Sequence, residues 1–379
     1  MKAIVVIDSL KGSLSSIEAG IAIKEGVLRV YPDADVLVRP LADGGEGTVE
    51  ALTTGLGGNI EKVKVTGPAG KEVIAEYGII KETNTAIIEM SAAAGITQVS
   101  DGERNPLNTT TFGVGEMIAD AMEKGCRNFI VGIGGSATND GGIGMLSALG
   151  FEFLDKDGNS VGIYGRDLKN IAMISNENVN PNLSECNFSI ACDVTNPLCG
   201  EMGCSNVYGP QKGATPDIVS EMDSWLREYA KVAAEIFPDT DPDFPGAGAA
   251  GGLGFAFKTF LSGKLEPGID LILSKTNLED YIKDADIVVT GEGRLDFQTA
   301  MGKAPVGVAK LAKKYKKPVI AFAGCVTKDA GECNKNGIDA FFPILREVVT
   351  LKDAMDKENA AQNMTLAVEQ AFRAINITL

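Results

Sequence analysis

The chain has 379 residues, 45 of them glycine and none histidine, with 44% apolar and 23% charged residues and a formal net charge of −16. That length allows two or three domains; the negative charge and the lack of a basic cluster leave nucleic acid and anionic membranes as poor partners; and the missing imidazole excludes a Ser-His-Asp triad, a His-ligated zinc and a His base. The scattered cysteines at 126, 186, 192, 199, 204, 325 and 333 read as free thiols in a reducing compartment, and without a long apolar run or a signal peptide the protein is expected in the cytoplasm.

"KAIVVID" at 2–8 is a β-branched run suited to a buried parallel strand. The helix after it opens with a Ser15/Glu18 capping box and is expected to bury Ile17, Ile21 and Leu28 on one face. "DADVLVRPL" at 33–41 then completes a βαβ unit. From residue 60 to 90 the pattern alternates around turn signals at Gly67-Pro68 and Thr83-Asn84, which predicts an antiparallel meander. A helix near 111–124 follows, then the strand "NFIVGIGG", a glycine-rich loop with a short helix, and a strand over 188–194. "DTDPDFPGAGAAGG" at 239–252 is the most loop-like stretch. Near 285 the βα style returns with "ADIVVTGEG", "PVGVAKLAKKY", "KPVIAFAG" and "IDAFFPI". A last helix, capped at Thr350 or nearby, aligns Ala361, Met364, Val368, Ala371, Phe372 and Ile375. Because strand-helix grammar matches at the two ends and not between them, the reading is α/β: an open flavodoxin/Rossmann-like parallel-sheet domain from residues 1–58 and 284–379, with a second α/β domain, 59–283, inserted.

Four polar, glycine-bearing segments each follow a predicted strand: "DSLKGS" at 8–13, "PLADGGEGT" at 40–48, "DVTNPLCG" at 193–200 and "TGEGRLDFQTAMGKAP" at 290–305. Loops at the carboxyl ends of parallel strands line one crevice. Lys11, just before a helix N-terminus, is either a solvated lysine or a cation sharing an anion with that terminus. Asp43 and Glu46, among glycines that include Gly44, suit substrate hydroxyls or a hydrated magnesium as well as a turn and cap. Asp193 ends a strand ahead of the Asn196-Pro197 turn signal, and Glu292, Arg294 and Asp296 alternate through a glycine-flanked loop.

In "GIGGSATNDGG" at 132–142, Gly132, Gly134 and Ala137 satisfy G-x-G-x-x-A, a dinucleotide fingerprint in outline. The acidic residue that fingerprint wants would be Asp155, but "KDGN" beside it is a hairpin signal and the intervening helix is short, so the segment reads as β-turn-β. The simpler reading is a phosphate nest, built from unhindered N–H groups of Gly134, Gly135, Ser136, Ala137 and Thr138 with the two hydroxyls. Neither a Walker A loop nor protein-kinase signatures occur.

Taken together, "DSLKGSLS" at 8–15, "RPLADGGEGT" at 39–48, "GIGGSATNDGG" at 132–142, "ACDVTNPL" at 191–198, "GAAGGLGFA" at 248–256 and "ADIVVTGEGRLDFQT" at 285–299 resemble the bacterial glycerate kinases, the type that includes the glycerate 2-kinases. The resemblance implies phosphorylation of D-glycerate by ATP with magnesium, in a cleft between a flavodoxin-like domain and the inserted one. The product it implies is 2-phosphoglycerate, with 3-phosphoglycerate the older assignment. The resemblance gives no residue its role; on physical grounds Gly134 to Thr138 are expected to hold ATP phosphates, and Lys11 and Arg294 to meet anionic groups of glycerate or the moving phosphoryl. Ser9, Asp43, Gly44 and Glu46 line the substrate. Asp193 or Asp296 accepts the hydroxyl proton, and the other helps Glu292 position magnesium. From the residues alone, a NAD(P)-dependent hydroxy-acid dehydrogenase and a non-catalytic small-molecule binding protein stay open.

Overall fold

Thirteen strands occur among the residues described by the structure, a computed structural model covering residues 1–41, 45 and 47–377. They are β1 (Lys2–Ile7), β2 (Asp35–Val38), β3 (Asn59–Thr66), β4 (Glu72–Ile80), β5 (Thr85–Glu89), β6 (Asn128–Gly132), β7 (Glu152–Leu154), β8 (Met173–Ser175), β9 (Asn187–Ala191), β10 (Lys264–Glu266), β11 (Ile287–Leu295), β12 (Val319–Val326) and β13 (Ala340–Pro343). The chain divides into two compact units: Met1–Asp43 with Glu50–Leu56 and Ile269–Leu379, and Gly44–Val49 with Gly57–Gly268.

The first unit is built on one sheet, ordered β13-β12-β11-β1-β2, in which every pair is parallel. Counted from β2, its strands run 2-1-3-4-5 in chain order, the doubly wound flavodoxin-like arrangement. The order reverses between β1 and β11, so the loops leaving those two strands flank the switch point, where such sheets bind ligands.

The helix Ser16–Leu28 starts with the expected capping box: Ser15 Oγ accepts the Glu18 N–H at 3.3 Å and the Glu18 carboxylate accepts the Ser15 N–H at 3.0 Å. Its buried face is a different one from the Ile17, Ile21, Leu28 stripe. Ala19, Ala22, Ile23 and Val27 point inward while Ile21 is 57% exposed. Small residues decide this, because Gly20 rests on Val38 and Gly26 on Val368 of the helix Lys357–Asn376, contacts that leave no room for a side chain. In that last helix Met364, Val368, Ala371 and Phe372 are buried, as the stripe predicts. Thr350 caps only the short helix Leu351–Met355, and the long one begins at its own cap, Asp356, which accepts the Glu358 and Asn359 N–H groups.

The second unit carries a six-stranded sheet, β10-β9-β6-β5-β4-β3. Strands β3, β4 and β5 form the antiparallel meander, and β5, β6, β9 and β10 run parallel. Its core includes the rings of Phe153, Tyr229, Phe255 and Phe260, the last two from the helix Leu253–Leu261 and Tyr229 from the helix Pro216–Ile236. Strand β7 pairs antiparallel with β8 in a separate two-stranded sheet, and Asp155 forms a turn in which its Oδ1 accepts the Asp157 and Asn159 N–H groups at 2.9 Å. The strand that follows the glycine loop and its helix, β7, is therefore not the parallel neighbour of β6, which is β9 further along the chain, and Asp155 does not close a parallel strand as the dinucleotide outline requires. All seven cysteines are free, and no helix among the described residues is long and apolar enough to cross a membrane.

Candidate active site

In the first unit, the β1 and β11 loops come together at the switch point: a Cβ on Gly293 would lie 3.5 Å from the Lys11 amide and 3.6 Å from Leu10 Cα. Asp8, at the end of β1, is buried and its Oδ1 accepts the N–H of half-buried Ser9 at 2.7 Å. Lys11 is exposed in a tight turn closed by reciprocal hydrogen bonds between Leu10 and Leu14, a few residues short of the helix. Glu292 is buried and accepts the Thr299 hydroxyl at 2.5 Å. Asp296 is the N-cap of the short helix Phe297–Ala300: its Oδ1 accepts the Gln298 and Thr299 N–H groups, and its Oδ2 lies 3.5 Å from Nε of exposed Arg294. Thr299 thus ties Glu292 to Asp296.

In the second unit, the loop after β6 has an exposed limb and a buried one. Gly134 and Gly135 are exposed, whereas Ser136, Ala137, Thr138, Asn139 and Asp140 are buried. Gly135 has φ +72°, a left-handed conformation that glycine adopts without strain. A Cβ on Gly134 would be 3.7 Å from Gly45 Cα, and one on Gly135 would be 3.5 Å from Ser91 Cβ. The "ADGGEGT" and "GGSATNDGG" segments therefore adjoin at Gly45, while Asp43, Gly44 and Glu46 lie outside the described residues. The buried limb is held from several sides. Ala137 N–H donates to the Ala94 carbonyl, and Gly251, packed against Thr138, would drive any Cβ to 2.1 Å from the Thr138 carbonyl oxygen. The Thr138 hydroxyl is fully buried and finds no hydrogen-bond partner among the described residues.

Three groups that the sequence reading did not single out support this loop. Asp140 is fully buried and accepts from the Thr111 N–H at 2.7 Å, the Thr111 hydroxyl at 2.8 Å and the Gly142 N–H at 3.2 Å; burial raises its pKa above the ordinary carboxylate value despite those donors. Asn139 donates to Ser205 Oγ at 2.8 Å. Lys212 is 2% exposed and donates to Ser136 Oγ at 2.8 Å and to the Thr138 carbonyl at 2.6 Å. In the sequence Lys212 sits in "GPQKGAT", a Gly-Pro turn of the kind that carries solvated lysines, so only its glycine flanks hinted at a packed position.

Asp193 follows β9, is exposed, and its Oδ1 accepts the N–H of Gly268, the first residue of the helix Gly268–Lys275, at 2.8 Å. Among the described residues no cluster of three or more His, Cys, Asp or Glu could hold a metal ion. Glu292 and Asp296, tied together through Thr299, offer hard carboxylate oxygens of the kind that suits magnesium brought in with phosphates better than a resident cage.

A glycine loop set before a short helix, over a buried lysine, suits phosphate. A model of the glycerate kinase family matches residues 3–376. The chain belongs to the glycerate kinase family. The glycerate kinase of Haemophilus influenzae is 45% identical over 99% of both chains, and the glycerate 2-kinase of Escherichia coli K12 is 47% identical over 93% of both. A Salmonella typhimurium LT2 crystal structure, provisionally named glycerate kinase 2, is 44% identical, with a TM-score of 0.92 over 100% of this chain and 99% of that one. Membership makes the chain a phosphotransferase, and a kinase family implies ATP; the dehydrogenase and binding-protein readings fall away.

Proposed function

We propose that this chain moves the γ-phosphoryl group of ATP onto the 2-hydroxyl of D-glycerate, in the cytoplasm. The observation that supports it best is near-full-length similarity to relatives named glycerate kinase, among them one named glycerate 2-kinase. Transfer of a phosphoryl group needs its charge neutralised and an alcohol oriented for attack, and neither requires histidine. Gly134, Gly135 and Ser136 receive ATP phosphates on their N–H groups and hydroxyl, with buried Ala137 and Thr138 as the fixed floor. Lys11 and Arg294 bind anionic groups of glycerate or the moving phosphoryl, and Ser9, Asp43, Gly44 and Glu46 line the substrate.

Two carboxylates compete for the role of proton acceptor. Asp296 commits both oxygens, one to the helix cap and one to Arg294, and shares Thr299 with Glu292. We therefore assign Glu292 and Asp296 to magnesium and Asp193 to the proton of the glycerate hydroxyl. Bound magnesium supplies positive charge at the ATP phosphates.

Proton-coupled phosphorus NMR of the reaction of ATP with D-glycerate tests the position of transfer. Phosphate on C2 couples to one carbon-bound proton and gives a doublet; on C3 it couples to a pair and gives a triplet. A doublet is expected. A triplet would move the product to 3-phosphoglycerate, and no new organic phosphate would remove glycerate as the substrate.

A further inference from the structure

Lys212 closes the single-turn helix Pro210–Lys212, far in sequence from the loop it supports. A lysine ammonium has three donors and no acceptor. Where it meets Ser136 at 2.8 Å, Ser136 Oγ must therefore accept, and the serine proton is left for another acceptor. The second contact, 2.6 Å to the Thr138 carbonyl, pins the loop two residues further on. No carboxylate lies within ion-pair distance of Lys212 among the described residues, and a buried charge without a counter-ion is costly. The titratable groups facing it are Asp140 from the loop and Cys204 from the helix Cys204–Tyr208. Asp140 already accepts from Thr111 and Gly142, and burial pushes the Cys204 thiol up to about 11, so it stays uncharged.

We propose that Lys212 is the positioning cation of the ATP-phosphate site, fixing the Gly134–Thr138 loop from beneath, turning Ser136 into a donor and giving polyphosphate the positive charge a Walker lysine gives elsewhere. This rests on the reading of that loop as the ATP-phosphate site. A second observation agrees in sign: burial depresses the Lys212 pKa to about 8, so the cation is present at neutral pH and can be titrated away under mild conditions.

The test is calorimetric binding of ATP at constant ionic strength between about pH 7.5 and 9.5, above the range where the terminal phosphate titrates. The proteins are the unaltered chain, Lys212→Met, Lys212→Arg and Gly134→Val, each checked for folding by circular dichroism. For the unaltered chain, ATP affinity should fall as pH rises through the Lys212 pKa. Lys212→Met should bind ATP at least about tenfold more weakly at the lower pH, as expected for losing a charged hydrogen bond, with no inflection and an unchanged KM for glycerate. Lys212→Arg, which does not titrate in this range, should remove the inflection too, and serves if Lys212→Met does not fold. Gly134→Val places bulk on the exposed limb and should block ATP. If Gly134→Val weakens binding while Lys212→Met keeps wild-type affinity and pH profile, the loop reading stands and the role given to Lys212 fails. If Gly134→Val also binds ATP normally, the loop reading fails and takes the proposal with it.

Discussion

Asp193→Asn keeps the oxygen that receives the Gly268 N–H, and Asp296→Asn keeps the one that caps the helix Phe297–Ala300. Both variants should therefore fold, and kinetics can separate their roles. Asp193→Asn should lose at least about a hundredfold in kcat at any magnesium concentration, the usual range for a general base. Asp296→Asn should instead need more magnesium and regain much of its rate when the metal is raised. Steady-state turnover against magnesium concentration checks both, and the opposite pattern would exchange their assignments. The charged alternation Glu292, Arg294, Asp296 was legible because it is local. That Asp296 is a cap was not, since a cap depends on where a four-residue helix begins, and short helices leave almost no periodicity. Lys212 was illegible for another reason. Its partners Ser136 and Thr138 lie 76 and 74 positions away, and nothing local distinguishes a lysine folded under a loop from one in water.

At the scale of elements, Gly26 marks the contact between the helices Ser16–Leu28 and Lys357–Asn376. In an isolated helix Gly→Ala is stabilising by about 1 kcal/mol. Here the added Cβ would sit 2.5 Å from the Thr365 carbonyl oxygen and 2.7 Å from Val368 Cβ. Overpacking of that kind costs about 1–3 kcal/mol, so Gly26→Ala should lower the urea midpoint at unchanged slope. A midpoint at or above that of the unaltered chain would contradict the contact. The same packing explains why the helix was read correctly at its start and rotated in its middle. Ser15 and Glu18 signal the N-terminus through their own hydrogen bonds, but a reading that seeks large apolar residues picks Ile17 and Ile21. A helix pressed close to its neighbours instead turns its glycines and alanines inward. The helix Pro216–Ile236 went unread although its signals are local: Thr215 as cap, a proline in its first turn, and Val219, Met222, Leu226, Tyr229 and Ala233 buried at helical spacing.

For the molecule as a whole, the α/β class followed from strand-helix alternation at the chain ends and from the meander between them. The sheet order 2-1-3-4-5 did not, because β1 and β11 pair at Ala3 and Ile287, and pairing over such a separation leaves no local trace. That pairing also sets a schedule. During synthesis at about 5–20 residues per second, β1 and β2 wait roughly ten seconds to a minute for the strand that completes their ladder. Meanwhile every strand of the second unit's sheet, β3 to β10, has already been made. The second unit is therefore free to fold first, while β1 keeps an open edge, a template for wrong partners. In hydrogen exchange on ribosome-bound chains stalled before Ile287, amides of β5, β6 and β9 should already be protected while those of β1 are not, and equal protection of the two sets would refute this order. β1, an inner strand of the flavodoxin-like sheet, is thus made before every other strand described yet is among the last secured, which leaves it exposed to aggregation for most of the chain's synthesis.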